Sequence, residues 1–309
     1  MNDQKKKSCI LVEIFQRKVS NVFSKRIIDM QSYSKITLLL LFILLFACSK
    51  KDNGAKSRLE AARLFYEQKE YALAKQEIDS INKLYPKAIE ERQASLLLLD
   101  SVRRAENHQI ISDCDSLISA NIPVLDKIKA LFSFQRNKEY QETGSYIPKE
   151  TASSGPITGT ILRSGVAEDG VLYIESVFVG GKQKHNQIKV SKKDGIFVQS
   201  KPVTDDGFNY RFSNMGKEYE VVRFMGSNEN GIAKFIYANI SEPLTVTLEG
   251  QGKYSYTLSQ TIKTAISKSY ELSTMMLQLD SLKNAKEKAE FNIYNLDKKA
   301  GKIQEVAID

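Results

Sequence analysis

Few residues in this chain have types and spacing that could do chemistry. Cys48 directly follows a run of twelve residues, 36–47 (ITLLLLFILLFA), in which only Thr37 is polar, and directly precedes the polar stretch Ser49-Lys50-Lys51-Asp52-Asn53. Cys114 lies between Asp113 and Asp115, whose carboxylates disfavour a thiolate, so a partly buried structural cysteine is expected there and not a nucleophile. His108 and His185 fall in different regions, and neither has a nucleophile partner in its own segment; His185, in the Lys-rich stretch 181–186, reads as an exposed loop residue.

Glycosidase-type acid/base work needs two facing carboxylates. The candidates are Glu168, Asp169, Asp205 and Asp206, but they sit in the turn signals Glu168-Asp169-Gly170 and Asp205-Asp206-Gly207 and read as solvated turn residues. Asp205-Asp206-Gly207 lacks the ligand spacing of an EF-hand loop. Gly180-Gly181-Lys182 lacks the pattern of a phosphate-cradling loop and the hydroxyl residue after Lys. Rows of aromatics (Phe208, Tyr210, Phe212; Phe235, Tyr237; Tyr254, Tyr256) could stack on sugar rings if exposed. Half-buried strand aromatics are the commoner case, and the absence of Trp weakens the carbohydrate reading. No catalytic residue, cofactor site or metal site is assigned. Three cysteines make no disulfide framework and two histidines no His-rich metal site.

The run 36–47 is too short to span a bilayer, which takes about 20 apolar residues, and has the length of a signal-peptide core. Leu45-Phe46-Ala47-Cys48 resembles the lipobox of bacterial lipoprotein precursors, with an apolar residue three before the cysteine and a small residue directly before it. Phe46 is bulkier than the family's commonest residue at its place. The resemblance implies cleavage between Ala47 and Cys48 by signal peptidase II. It also implies diacylglycerol on the Cys48 sulfur and an acyl chain such as palmitate on the new amino group. Two or three chains together anchor stably where one does not. The chain also looks like uncharacterised lipoproteins of Bacteroidota, whose leaders often end in a similar LLFACS run. That likeness implies the outer membrane, facing the periplasm or the exterior, and Ser49 agrees because Asp there is the usual inner-membrane retention signal. Met30 opens a normal short n-region, so either translation starts there or residues 1–29 form a long n-region.

Eight of the 45 basic and three of the 37 acidic residues fall in 1–47, which leaves a net charge of +3 on residues 48–309 in place of +8. No nucleic-acid partner is expected from so slight an excess. The composition, 42% hydrophobic and 27% charged, is that of a globular chain.

The elements that would carry these residues follow from periodicity. The expected organisation is a leader over 1–47, a lipidated polar tether over 48–57, a helical domain over 58–135, a linker over 136–154, a β-domain over 155–258 and a long helix over 259–309. Leu59, Ala62 and Phe65, then Tyr71, Ala74, Ile78 and Ile81, recur at helical spacing and Pro86 closes the second run. These residues resemble one tetratricopeptide (TPR) repeat, with Lys69 and Glu70 in place of its usual turn glycine. A plain helical hairpin gives the same pattern. Helix continues over 88–118. From Leu272 to Ile303 apolar residues alternate in steps of three and four, interrupted at Lys286, as in a heptad seam. That seam could pair with the N-terminal helices or with a second copy, the former being favoured. The Met275-Met276 pair reads as core filler.

Over 155–258 the period changes to short alternating runs broken by Gly, Asn and Asp. Strands are expected at Ile157–Leu162, Val171–Val179, Gln187–Val190, Gly195–Gln199, Phe208–Phe212, Glu218–Phe224, Ala233–Ala238, Leu244–Leu248 and Tyr254–Leu258. The fold class expected is α+β: an N-terminal helical hairpin or stalk, an antiparallel β-sandwich or barrel, and a C-terminal helix packing on the stalk. The expected function is a lipid-anchored cell-envelope scaffold or binding protein that is not an enzyme. The membrane is held through Cys48, and a protein partner could bind through the helical region. The alternative is an envelope hydrolase or carbohydrate-binding lipoprotein using the β-domain.

Overall fold

The computed structural model describes residues 54–136, 142–152, 159–181, 183–204, 209–214 and 216–306. The leader, the Ala47–Cys48 cleavage and lipidation site and tether residues 48–53 lie outside the described residues. The chain divides into two compact units, Met1–Leu98 and Leu99–Asp309. The architecture is α+β; the described residues form five α-helices and two antiparallel sheets, neither of which closes into a barrel. No described helix is long and apolar enough to cross a membrane.

In the first unit, α1 (Gly54–Glu67) and α2 (Tyr71–Leu84) pack against each other. Each buries one stripe at i, i+4, i+7: Ala55, Leu59 and Ala62 on α1, and Ala74, Ile78 and Ile81 on α2. Arg58 on α1 pairs with Glu77 on α2 at 2.7 Å. The turn between them passes through Lys69 at φ 61°, the left-handed region that favours glycine, and the Glu70 N–H donates to the Phe65 carbonyl at 2.8 Å. Residues 54–57, expected in the tether, are helical. α3 (Ile89–Lys129) begins in this unit and continues through Pro123 into the second.

The described residues of the second unit form ten strands. A six-stranded sheet has the order β1-β2-β3-β4-β8-β7, built from Phe132–Gln135, Ser145–Pro148, Ile161–Ala167, Leu172–Gly180, Lys217–Met225 and Tyr210–Asn214. A four-stranded sheet has the order β10-β9-β5-β6, built from Lys253–Thr257, Thr245–Glu249, Gln187–Ser191 and Phe197–Gln199. One apolar core draws on both sheets. Leu162, Leu172, Ile174, Phe178, Val222 and Phe224 enter it from the first, and Ile188, Val190, Val246 and Leu248 from the second. Ile232, Ala233 and Ile236 of α4 (Ile232–Ala238) and Ile262 and Ile266 of α5 (Gln260–Val306) complete it. Each fully buried Ile or Leu there is worth about 2 kcal/mol.

Three expectations differ from the structure. Ala233–Ala238 is helix and not strand. Its alternating pattern is overridden by Asn230 and Gly231 at φ 52° and 84°, and by Glu229, whose carboxylate accepts from the Gly231 N–H (2.9 Å) and the Ala233 N–H. The segment 136–154, expected as a linker, contains β2, and β1 begins inside the expected helical domain. The two strands pair from Phe132↔Pro148 to Gln135↔Ser145 and extend the larger sheet. The expected strand at Ile157–Leu162 is displaced to Ile161–Ala167, residues 157 and 158 lying outside the described residues.

α5 is fastened to the sheets by polar side chains. The Ser164 and Ser269 hydroxyls meet at 2.9 Å, the Ser273 hydroxyl donates to the Gly170 carbonyl at 2.6 Å, and buried Lys263 donates to the Ile240 and Glu242 carbonyls, each at 2.8 Å. Beyond a second small core of Phe132, Val166 and Leu272, against which Met276 packs, α5 runs antiparallel to α3. As the residue number rises along α3 it falls along α5. Asp100 meets Lys299 (2.8 Å), Arg104 meets Asp297, Asn107 meets Asn292 (3.1 Å) and Asp115 meets Lys286 (2.6 Å).

Candidate functional site

The constellation with the most chemistry lies between the two sheets. On β4, residues 172, 174, 176 and 178 alternate toward the core, and the register Ser176↔Val222 and Phe178↔Glu220 puts Ser176 and Glu220 on that same face. The loop entering β5 brings His185 between them. Its Nδ1 is 2.7 Å from Glu220 Oε2 and its Nε2 is 3.1 Å from Ser176 Oγ. His185 is therefore not the exposed loop residue expected. All three side chains are closed to solvent, with residue exposures of 0% for Ser176 and His185 and 1% for Glu220.

Glu220 also accepts three successive backbone N–H groups: Gln183 (2.8 Å) and Lys184 (2.6 Å) on Oε1, and His185 (3.0 Å) on Oε2. Lys184 sits at φ 47°, which turns these donors toward one point and makes an anion nest. Burial alone would push the Glu220 carboxyl up. The His185 ring and the Lys184 and His185 N–H groups outweigh that and hold it at about 2. With the carboxylate ionised, Nδ1–H must donate to it. Nε2 then accepts from the Ser176 hydroxyl in the neutral ring or donates to it in the imidazolium, and a hydroxyl serves either way. Arg211 adds a donor to the His185 carbonyl at 3.3 Å. The order Ser–His–Glu is that of a nucleophilic triad, but Ser176 Oγ is enclosed and its ring partner also pins a loop. What this arrangement does in the folded state is fasten residues 183–185 to β8.

The opposite face of the same sheet buries Tyr173, Val177 and Val221 and carries a partly buried charged pair beside them. Glu175 accepts from Arg223 (3.1 Å), whose guanidinium lies 4.2 Å over the Tyr173 ring, and Arg163 is the other cross-strand neighbour of Glu175. Beside them Tyr210, Phe212 and Tyr219 form a row. Phe212 and Tyr219 stack at 4.8 Å with planes 5° apart, and Tyr210 and Phe212 at 6.1 Å and 22°. Rings stacked on one another spend their faces within the row and offer mostly edges to solvent. A sugar needs the faces.

The other sequence candidates disperse. Cys114 is buried on the α5 side of α3; burial first, then Asp113 and Asp115, push its thiol up, against a smaller opposite pull from Lys286. His108 is exposed on α3. Glu168 accepts from the Gly144 N–H just before β2 and Asp169 from the Val171 N–H of its own turn, each at 3.0 Å, so both carboxylates hold backbone in place. Asp205, Asp206, Phe208 and Lys182 lie outside the described residues. Phe235 and Tyr237 are on α4, not on a strand. Met275 is buried beside α5's small core, to which Met276 contributes. Among the described residues no group of three potential metal ligands comes together.

No family model, curated protein or solved structure matches this chain.

Sequence reasoning missed the Ser176–His185–Glu220 network because Glu220 lies 35 residues beyond His185 and the three obey no common period. One signal was present. Glu220 is the acidic residue in an otherwise apolar alternation through Val222 and Phe224 on β8, and a carboxylate on a core face demands partners.

Proposed function

We propose that the chain is a lipid-anchored cell-envelope protein that binds or scaffolds other envelope components, with no chemistry of its own. The observation that carries this reading is the apolar run 36–47 ending at Ala47-Cys48, followed at once by polar residues. On this reading the leader is removed, Cys48 carries the acyl chains, and the globular part is held at the outer membrane on the periplasmic or the outer side. The TPR-like reading of α1 and α2 is supported by the fully buried small residues Ala62 and Ala74, which let the helices approach closely, and by Lys69 taking the left-handed turn that the family gives to glycine. A helical partner-binding role is the corresponding proposal for that unit.

The test is acyl labelling of cells expressing the chain with a clickable palmitate analogue. Wild-type protein should take the label and sediment with membranes, whereas Cys48→Ser should do neither and should retain its leader. A labelled, membrane-bound Cys48→Ser protein would sink the anchor. Purified Cys48→Ser protein that turns over a peptidoglycan or glycan substrate would defeat the non-catalytic part.

A second reading, carbohydrate binding by the β-region, is favoured by Tyr210, half exposed beside the Arg223–Glu175 pair. The stacked geometry of its neighbours counts against it. Calorimetric titration with envelope glycans, and its loss in Tyr210→Ala, decides it.

A further inference from the structure

β10 ends the four-stranded sheet, with β9 on one side and no strand among the described residues on the other. The bonds that continue the β9–β10 ladder at its two ends fix its phase. The Gly250 N–H donates to the Gly252 carbonyl at 3.1 Å, and the Leu258 N–H donates to the Leu244 carbonyl at 2.8 Å. Hydrogen-bonded and non-hydrogen-bonded pairs alternate along an antiparallel ladder. Tyr254↔Leu248 and Tyr256↔Val246 are therefore hydrogen-bonded pairs, whereas Lys253↔Glu249, Ser255↔Thr247 and Thr257↔Thr245 are not. The Ser255 and Thr247 hydroxyls meet at 2.9 Å, as side chains of the closer, non-hydrogen-bonded kind of pair can. The N–H and C=O groups of Lys253, Ser255 and Thr257 consequently point away from β9 toward the free edge. Among the described residues no backbone bond outside the ladder engages them.

Chains blunt such edges with very short strands, bulges, proline or inward-pointing charge, because an open edge templates another strand. The other three edge strands show these devices. β6 has three residues and β1 four, and β7, as long as β10, carries an inward-pointing charge at Arg211, across from Glu220. β10 pairs with β9 over five residues without a bulge, and it turns Tyr254 and Tyr256 toward the core. Its one charge, Lys253, stands at its first position. Lys253, Ser255 and Thr257 are exposed, and Tyr254, edge-to-face with Phe178, stays 40% exposed.

A second β10 fits this edge. About a two-fold axis at Ser255 the two strands run antiparallel, with Ser255 opposite Ser255 and Lys253 opposite Thr257 of the other copy. These are hydrogen-bonded pairs, so every outward N–H meets an outward C=O. Moving the axis to Tyr254 or Tyr256 would carry one of the three residues past the end of the other strand. The two Lys253 side chains then stand about 13 Å apart along the strands, beyond the roughly 10 Å Debye length at 0.1 M salt. On the core side Tyr254 comes opposite Tyr256 of the other copy in a close pair, a favourable cross-strand combination of aromatics. One patch that complements itself about a two-fold is what a closed dimer requires.

We propose that β10 is a homodimer edge, at which two copies pair antiparallel about Ser255 and join their four-stranded sheets into one. So short an edge suits a weak dimer that forms and parts with concentration. The proposal is independent of the lipid anchor.

The test is sedimentation velocity of the full chain in mild detergent, with far-UV circular dichroism as the folding control. Wild-type protein should pass from monomer to dimer between about 1 and 100 µM. Over the same range the amides of Lys253, Ser255 and Thr257 should gain protection from hydrogen exchange, while those of Tyr254 and Tyr256, bonded to β9, are protected throughout. Ser255→Pro removes an N–H that faces outward from an edge strand, a place where proline is accepted. It should weaken association by more than about tenfold with the spectrum unchanged. Should that variant not fold, Thr257 decides. Thr257→Lys sets like charges opposite each other at both ends of the paired strands, and Thr257→Glu sets opposite ones there. The first should weaken the dimer and the second strengthen it, each by about threefold or more. A wild-type monomer up to about 100 µM overturns the proposal. So does a dimer indifferent to Ser255→Pro or to the charge at 257, or one whose concentration-dependent protection falls on β7 or α3 and not on β10.

Discussion

Glu220 Oε2 and His185 Nδ1 lie 2.7 Å apart in a core from which solvent is excluded, 35 residues apart in sequence, one on β8 and the other in the loop that leads from β4 into β5. The carboxylate accepts from the ring and from three consecutive backbone N–H groups. The conformation of the loop before β5 therefore depends on one side chain of β8.

That dependence predicts the effect of Glu220→Gln. The amide keeps one acceptor oxygen but loses the charge and leaves buried donors without a partner. Unfolding by urea should show a loss of about 3 kcal/mol. Amides of Gln183, Lys184 and His185 should lose protection from hydrogen exchange before the strands do. A loss below about 0.5 kcal/mol, within the range of an ordinary surface substitution, would show that the carboxylate is not the fastener.

The same group sets an acid limit. Its folded value of about 2 lies below the ordinary 4.5, so its contribution is complete above pH 4.5 and is lost as pH falls from 4.5 toward 2. The full term is about 3 kcal/mol. Glu271 acts in the opposite sense, since burial raises it and its effect weakens stability as pH rises. The difference between wild-type and Glu220→Gln stability isolates the first term. It should be flat above pH 5 and shrink steadily below it, and a difference unchanged down to pH 2.5 would refute the assignment.

Gly250 should tolerate no side chain. A Cβ there would run into the Lys184 carbonyl oxygen and come within 2.5 Å of the His185 Cα, both backbone atoms, whereas one on Gly181 would meet nothing within 4 Å. Gly250→Ala should cost about 1–3 kcal/mol and loosen the same loop. Thermal unfolding of both variants checks this, with Gly181→Ala expected close to wild type.

Cys114 should be chemically quiet. Enclosed between α3 and α5 and with its thiol pushed up by burial and two neighbouring aspartates, it should react with a maleimide at least about tenfold more slowly in the native protein than in urea. The measurement needs Cys9 and Cys48 replaced by Ser. Rapid native labelling would mean that the α3–α5 seam opens readily.

Where local periodicity decided the structure, the sequence was readable. β4, expected at Val171–Val179, is Leu172–Gly180, and β8, expected at Glu218–Phe224, is Lys217–Met225, because each alternates against a core. Alternation misled at Ala233–Ala238, where the deciding residues, Glu229 and Gly231, lie before the segment and not within it. β1 and β2 were too short, four residues each, to stand out from the polar stretch between them. Lys286 looked like a break in the α5 seam, yet the three-four rhythm continues through it. The long side chain leaves the seam to reach Asp115, which a one-letter pattern cannot display. The candidate site was illegible for a further reason: it is made by cross-strand register between β4 and β8, and register is a property of pairs of strands.

The antiparallel run of α3 and α5 also sets a distance. From Asp100, where Lys299 is met, to its last residue, Lys129, α3 advances about 44 Å along its axis. A partner held at the Asp100 end of α3 and one held where α3 gives way to β1 could not touch one another unless one of them were itself that long. The two ends of this unit can be occupied at the same time, and a protein built so can hold two things apart as readily as it can bring them together.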